Sequence, residues 1–364
     1  MLQRLYIHNF RCLENFEFKP GAIPSALLIG RNGSGKSTIK LALEIFQRIG
    51  RGINRVGLLV QPKDFGRGRS DVPIRFEIEV ELNNKLYHYD LALEFPENFQ
   101  ELRILEEHLT VSGKSLYSRK GAQVTLQKNA QFFLDWHLIA LPVIQVQSET
   151  DPLHIFKTWL SRTIILSPIP RLMNGDSSEA TLEPKRDGSN LGGWLSGLLG
   201  RYPAAYTEID NYLRQVMPDI TEIRNDPTGK DTKSLNVHFT EKSAKLVVNF
   251  DDLSDGEKCL FLCAVVLAAN KAYGPLFCFW DEPDNYLSLS EVGHFIHLLR
   301  RSFHENGQII ITSHNEEAIR RFSHENTWIL DRKSHLEPTI VKLLEDLPPS
   351  GDLISSLISG DIRL

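Results

Sequence analysis

No stretch of this sequence reaches the ~18 consecutive apolar residues of a membrane-spanning helix. The N-terminus, MLQRLYIHNF, also lacks a basic leader followed by an apolar segment and a cleavage site. Both absences lead to the expectation of a cytoplasmic protein with no membrane partner. Cysteine is scarce: Cys12, Cys259, Cys263 and Cys278 show no C-x-x-C spacing, and each lies in an apolar context where cysteine acts as a small buried hydrophobe. Cys259 and Cys263 share a helix face, but no histidine pair at ligand spacing accompanies them, which argues against a zinc site. Positive charge is not in excess either. The chain has 41 Lys and Arg against 46 Asp and Glu, a formal net charge of −5, which excludes a surface coated for wrapping nucleic acid and leaves only a local patch open.

What the sequence does contain begins with LLIGRNGSGKST. Gly30 through Ser37 read G-x-x-x-x-G-K-S, between the strand-like SALLIG and a segment with apolar residues at helical spacing. Glycines in this loop let backbone N–H groups converge on phosphate oxygens, and the following helix adds the positive end of its dipole. Asn32, Gly33, Ser34, Gly35, Lys36, Ser37 and Thr38 are therefore the candidate nucleotide-binding residues, with Lys36 reaching the β and γ phosphates and the Ser37 hydroxyl serving Mg²⁺. A chance glycine turn would not carry both flanks.

Far along the chain, LFCFWDEPDN has the continuous apolar character of a strand buried on both faces, and it ends in paired acids. Asp281 suits a metal, and Glu282, pointing differently along the pleat, suits deprotonation of an attacking water. Just before it, DLSDGEKCLFLCAVVLAANKAYGP carries the S-x-x-E capping box of Ser254 and Glu257 and reads as a capped buried helix ending at Gly274-Pro275. An amphipathic helix ending at Gly307 and a second buried strand, QIIITSHN, follow, with His314 at the strand's end.

The order and content of these motifs resemble the RecF/SMC/OLD-like branch of the ATP-binding-cassette ATPases, the stand-alone "AAA family ATPase" type of prokaryotic defence modules. The resemblance covers roughly residues 1 to 50 and 250 to 332. LYIHNFRCLENFEF is similar to that branch's opening strand, with Asn9-Phe10-Arg11 matching its N-F-R element, whose arginine is expected near the nucleotide. L-S-D-G-E resembles the signature, which implies that Ser254 and Gly256 read the γ-phosphate held by a second copy. His314 resembles the switch histidine. Asp255 departs from the usual signature glycine, and the family's Q-loop glutamine is not identifiable: Gln145 and Gln147 compete with TIILSPIP, a strand that would fill the place with no glutamine at all.

Between the two ends, residues 72 to 128 alternate as an antiparallel meander. GSNLGGWLSGLLGRY and PAAYTEIDNYLRQVMP read as short helices, and KSLNVHFT with AKLVVNF as a hairpin. The polar run from 174 to 190 reads as a mobile loop. No sustained heptads occur here, so no long coiled-coil arm is expected. Arg48, Arg51, Arg55, Lys63, Arg67 and Arg69 are gathered among glycines, either as a solvated loop or as a DNA-backbone contact.

The expected fold is α/β: a P-loop NTPase of the ABC-type ATPase head class with an antiparallel β lobe and a helical signature lobe. Its divisions would be a core over 1–170, a helical and hairpin lobe over 171–250, a second part of the core over 251–345 and a tail over 346–364. The resemblance implies an ATPase using ATP and Mg²⁺ as a sandwich homodimer, with Lys36, Glu282 and His314 catalytic and Ser37 and Asp281 on the metal. Arg11, Ser254 and Gly256 would also touch nucleotide. It implies control of a separate effector nuclease, with a RecF-like DNA-binding repair ATPase as the alternative. The Pro348-Pro349 boundary marks a tail that either docks a partner or packs.

Overall fold

The computed structural model describes residues 1–127 and 130–347, so the expected tail from Pro348 onward lies outside the described residues. The chain divides into two compact units: Met1–Thr163 together with the described residues from His324 on, and Ile164–Ser323.

The first unit contains a large antiparallel sheet. Its strands are β1 (Leu2–His8), β2 (Phe16–Phe18), β4 (Ile74–Leu82), β5 (Lys85–Glu94), β6 (Arg103–Val111), β7 (Lys114–Lys120), β8 (Gln123–Leu126) and β9 (Gln131–Phe133). They are ordered β2-β1-β4-β5-β6-β7-β8-β9. Period-2 alternation explains the faces: in β4, Ile74, Phe76, Ile78 and Val80 are buried, while Glu77 and Glu79 point outward to share Arg4. The apolar face is covered by α1 (Lys36–Gly50), whose Phe46 meets Phe76 and Tyr89 edge-on, and by α3 (Pro152–Arg162), whose Phe156 stacks on Tyr87. A second sheet in this unit runs β3 (Ser25–Gly30), β16 (Thr327–Asp331), β17 (Ile340–Leu343), with β16 parallel to β3 and antiparallel to β17.

One carboxylate is built into this core. Glu107 on β6 is fully buried and accepts hydrogen bonds from the Tyr89 and Tyr117 hydroxyls at 3.1 and 2.7 Å. It also takes the backbone N–H groups of Ala140 and Leu141 at 2.7 and 2.9 Å, opening the short helix α2 (Ala140–Val143). Arg119, equally buried, stands 3.8 Å away. Burial, and then the charge of Glu107, push both phenols well above the ordinary tyrosine range.

The second unit is built on three parallel strands, β10 (Ile164–Leu166), β14 (Phe277–Asp281) and β15 (Gln308–Thr312), paired in that order. Every residue of these strands is buried, as a parallel sheet covered on both faces requires. The helix α6 (Asp255–Tyr273) is apolar on all sides and packs with α5 (Ala205–Val216) and α7 (Leu289–Glu305). Cys259, Cys263 and Cys278 lie in this core, and burial pushes the first two thiols up to about 12, so they act as small hydrophobes. A further antiparallel sheet comprises β11 (Ile220–Pro227), β12 (Lys233–Glu241) and β13 (Ala244–Asn249); the expected hairpin is β12–β13, and β11 adds a third strand.

The run expected as a mobile loop is instead seated on α4 (Leu191–Arg201). Ser177 pairs with Lys233 beside β12, and the Thr181 amide donates to the Gly193 carbonyl. The physical reason is a face of glycines: a Cβ at Gly192 would lie 2.2 Å from the Gly175 carbonyl oxygen, and one at Gly197 would lie 2.1 Å from that of Thr181. Backbone packs directly on backbone there. The polar composition signalled a loop, and it could not signal that the helix beneath had been cleared of side chains. Among the described residues, no helix is long and apolar enough to cross a membrane.

Glu107→Ala is expected to lower the unfolding free energy by about 3 kcal/mol or more, because four buried donors lose their acceptor and Arg119 its counter-charge. Urea denaturation followed by tryptophan fluorescence checks this; a loss below about 1 kcal/mol would show that water takes over the carboxylate's bonds.

Candidate functional site

The first unit holds the glycine loop. β3 ends at Gly30, α1 starts at Lys36, and Gly35 stands between them in a left-handed conformation with φ 107°. The Lys36 ammonium is turned into the loop, donating to the carbonyl oxygens of Gly30 at 2.6 Å and Arg31 at 3.2 Å. Ser37 and Asn32 are exposed. Two segments distant in sequence buttress this loop. Thr339, at the entry to β17, donates from its hydroxyl to the Ser34 carbonyl at 2.9 Å and from its amide to the Cys12 carbonyl at 2.9 Å. The Cys12 thiol lies 3.3 Å from the Thr38 hydroxyl. A Cβ at Gly35 would sit 2.6 Å from the Thr339 hydroxyl, so the residue is glycine for its close neighbour as well as its φ.

The N-F-R element supports the same unit. Asn9, fully buried with φ 55°, donates to the carbonyls of Arg69 and Val72. Arg11 spans Phe10 and Asp64: its guanidinium lies 5.6 Å from the Phe10 ring centre, and its Nε donates to Asp64 at 2.9 Å. The six basic residues of the run beside it meet two carboxylates. Arg55 pairs with Glu101, Arg67 and Arg69 both pair with Glu14, and Arg51 donates to the Ser161 carbonyl. Arg48 and Lys63 have no carboxylate partner among the described residues.

In the second unit the acids gather at the carboxyl ends of the parallel strands, where open α/β sheets bind ligands. The Thr312 hydroxyl, ending β15, donates to Asp281 Oδ1 at 2.7 Å and accepts from the Glu282 amide at 3.0 Å. Glu282 has φ 51°, a costly conformation for a non-glycine residue. Its Oε2 accepts from the Asn285 amide group at 2.6 Å, while Oε1 lies 3.7 Å from His314 Nε2. That distance is too long for a hydrogen bond.

Further residues complete this half that motif reading did not single out. Ser167, directly after β10, donates towards Asp281 Oδ2 at 3.5 Å. β10 therefore occupies the place beside Asp281, and serine stands there. Gln145 and Gln147 lie in the other unit; Gln147 is exposed ahead of α3, where its amide donates to Asp151. Asp284 is 3% exposed, its Oδ2 accepts from the Ser313 hydroxyl at 2.8 Å, and its Oδ1 lacks a hydrogen-bond partner among the described residues. Burial is the main cause holding its carboxyl above the usual aspartate range, with Glu282 adding to it. DEPD contained the signal for Asp284 and the residues before His314 that for Thr312 and Ser313; nothing local marked Ser167 or Thr339.

At the head of α6, the Ser254 hydroxyl accepts from the Glu257 amide at 3.3 Å and the Glu257 carboxylate accepts from the Ser254 amide at 2.8 Å, the reciprocal box expected there. The serine remains exposed with its own hydrogen free to donate. Gly256 lies against the loop after Glu282: a Cβ on it would be 2.9 Å from the Tyr286 carbonyl oxygen. Thus this unit assembles Asp281, Glu282, His314 and the signature turn, while the other assembles Lys36, Ser37 and their neighbours. The hydroxyl and carboxylate oxygens of Ser37 and Asp281 are the hard donors that Mg²⁺ takes, and the N–H-lined loop with Lys36 suits a triphosphate.

A family profile described as the RecF/RecN/SMC N terminal domain matches residues 1–335. Over 95 residues the sequence is 33% identical to the chromosome partition protein Smc of Chlorobaculum tepidum, a stretch amounting to 25% of this chain and 8% of that protein, so the match spans a small fraction of the relative. Among solved structures, an SMC head bound to the C-winged helix domain of ScpA aligns with a TM-score of 0.56 at 15% identity, covering 94% of this chain and 98% of that one. The SMC head domain from Thermotoga maritima aligns at 14% identity with a TM-score of 0.49, over 94% of this chain and 98% of that one. The fold is that of an ABC-type P-loop ATPase head.

Asp284→Asn is expected to stabilise the protein by on the order of 1 kcal/mol at neutral pH, because asparagine keeps an acceptor for Ser313 and removes a buried charge. A carboxyl whose folded pKa is raised costs stability only when ionised. The gain should therefore be present above the raised pKa, shrink as pH falls through it, and vanish below the ordinary value of 3.8. Thermal unfolding between pH 4 and 8 measures this, and a gain that does not change with pH would remove the buried charge as its cause.

Proposed function

The chain belongs to the RecF/RecN/SMC N-terminal domain family, and on that premise we propose that it binds and hydrolyses ATP with Mg²⁺ as a switch, closing into a homodimer when ATP is bound. The observation that carries this reading is the geometry of Glu282. A glutamate is held in a left-handed conformation by the same threonine that holds Asp281, with one carboxylate oxygen fixed by Asn285 and the other turned towards His314. Strain of this kind persists where the surroundings enforce it, and it aims the side chain.

The roles follow from the groups. N–H groups of residues 33–37 and the Lys36 ammonium receive the phosphates, and Lys36 exchanges its loop carbonyls for phosphate oxygens. Ser37 and Asp281 would hold Mg²⁺, which would supply neutralisation of phosphate charge. Glu282 accepts the proton of the attacking water, and His314 donates to an oxygen of the γ-phosphate. Ser254, exposed and with its hydrogen available, donates to the nucleotide of a second copy, with Gly256 allowing the close turn; this pairing makes the active form a dimer. Arg11 contributes positive charge beside the nucleotide once released from Asp64.

We further propose that the switch acts in the cytoplasm on a separate effector nuclease of a prokaryotic defence or toxin module. The support is the resemblance to stand-alone ATPases of such modules. Among the described residues, moreover, the one cluster of three potential metal ligands, Asp90, Glu106 and His108, already has Arg75 paired to two of its members. The SMC head bound to a winged helix domain illustrates a head of this fold taking a separate protein chain. The pairing of Arg55 with Glu101, and of Arg67 and Arg69 with one shared Glu14, reduces the charge that run could offer the DNA backbone of a repair clamp without cancelling it.

Glu282→Gln is expected to cut phosphate release by about 10² or more and to accumulate an ATP-dependent dimer that the wild type shows only transiently. Light scattering with and without ATP·Mg²⁺, alongside phosphate release, measures both. A mass indifferent to ATP together with surviving turnover would sink the assignment of the base and the sandwich.

A further inference from the structure

The first unit contains a second structure beside the glycine loop that the roles above leave unused. β16 runs parallel to β3 with Leu330 opposite Gly30, so the chain leaves both strands at the same edge of the sheet. After Asp331 it forms a short loop before returning at Thr339, and that return point is fastened to the glycine loop through Ser34.

The loop is built to hold its shape. Arg332 donates from Nε to the Glu337 carbonyl at 2.7 Å and from its other end to the His335 carbonyl, bracing the loop from within. Ser334 accepts from the Leu336 amide at 3.2 Å and, through its carbonyl, from that of Glu337 at 3.2 Å. From outside, Arg67 donates to the Leu336 carbonyl at 3.1 Å. Polar groups of an exposed loop are ordinarily spent on such local bonds. The imidazole of His335 is not: it is exposed and makes no hydrogen bond or ion pair among the described residues. Its Nε2 lies 3.9 Å from the position a Cβ would take on Gly33. Gly33 has φ 80° and no side chain, so nothing of its own stands between this imidazole and the N–H groups of the loop.

We propose that the loop from Arg332 to Pro338 is a wall of the nucleotide site, and that His335 donates a hydrogen bond to a phosphate oxygen of the bound nucleoside triphosphate. This rests on the reading that the glycine loop binds ATP. An imidazole N–H one van der Waals contact from the phosphate cradle is a donor of the right kind, and a charged acceptor strengthens such a bond. Leu336, 75% exposed at the tip, extends the wall outward. Thr339 makes the wall part of the cradle, because the loop cannot shift without pulling on Ser34.

The test uses the full chain, a fluorescent non-hydrolysable ATP analogue with Mg²⁺, and the variants His335→Ala and His335→Gln. The alanine variant should bind the analogue about five- to tenfold more weakly, and glutamine, which keeps an N–H donor, should recover most of the loss. In wild type, the analogue should slow acylation of His335 by diethyl pyrocarbonate, read by peptide mass spectrometry, and leave acylation of the half-exposed His88 unchanged. Equal affinity in wild type and His335→Ala, or acylation of His335 indifferent to nucleotide, would overturn the proposal. Tighter binding in the alanine variant would overturn it too, making the loop a barrier. A wild type that binds no nucleotide at all would instead remove the ATP reading beneath it.

Discussion

One threonine fixes the acidic cluster at the ends of the parallel strands. Thr312 donates from its hydroxyl to Asp281 and accepts from the amide of Glu282 through both its hydroxyl and its carbonyl, so neighbouring acids on one strand end are registered against the end of the next strand by a single residue. The left-handed twist at Glu282 follows from this clamp. Without the twist, alternation along the strand would send the glutamate to the opposite face from Asp281. Ser313 repeats the arrangement one step on with Asp284, and His314 is the next residue after it. The turn after β15 is thus laid residue by residue along the turn after β14.

The phosphate half obeys the same logic with different material. Its loop is glycine-rich and would have many conformations alone; Thr339 and Cys12 remove that freedom by occupying the space a Gly35 side chain would need. In each unit a threonine carries the constraint, Thr312 from the neighbouring strand and Thr339 from the entry to β17.

Much of this was legible in the sequence where the physics is local. A glycine loop before a helix, a capping box, a doubly buried strand ending in acids and an alternating strand each have causes within about ten residues, and each formed where the pattern placed it. What was not legible depends on partners far away in the chain. Nothing near Arg67 or Arg69 announces that Glu14 pairs with both, and nothing near Thr339 announces Ser34. Ser167 could be recognised only once β10 was known to lie beside β14. Composition misled at residues 174 to 190 because a polar run reads as facing water, while the seating on α4 is made by carbonyls that every residue has and by the buried Ser177–Ser196 hydroxyl pair.

That last feature sets which parts of the molecule are free to drift. The closest approaches in the crossing over α4 are to main-chain oxygens, those of Gly175, Glu179 and Thr181, and these leave no room for a side chain on the helix beneath. Gly192 and Gly197 have no latitude there. The seam is intolerant of volume: in this region the plainest residues, the glycines of α4, carry the constraint.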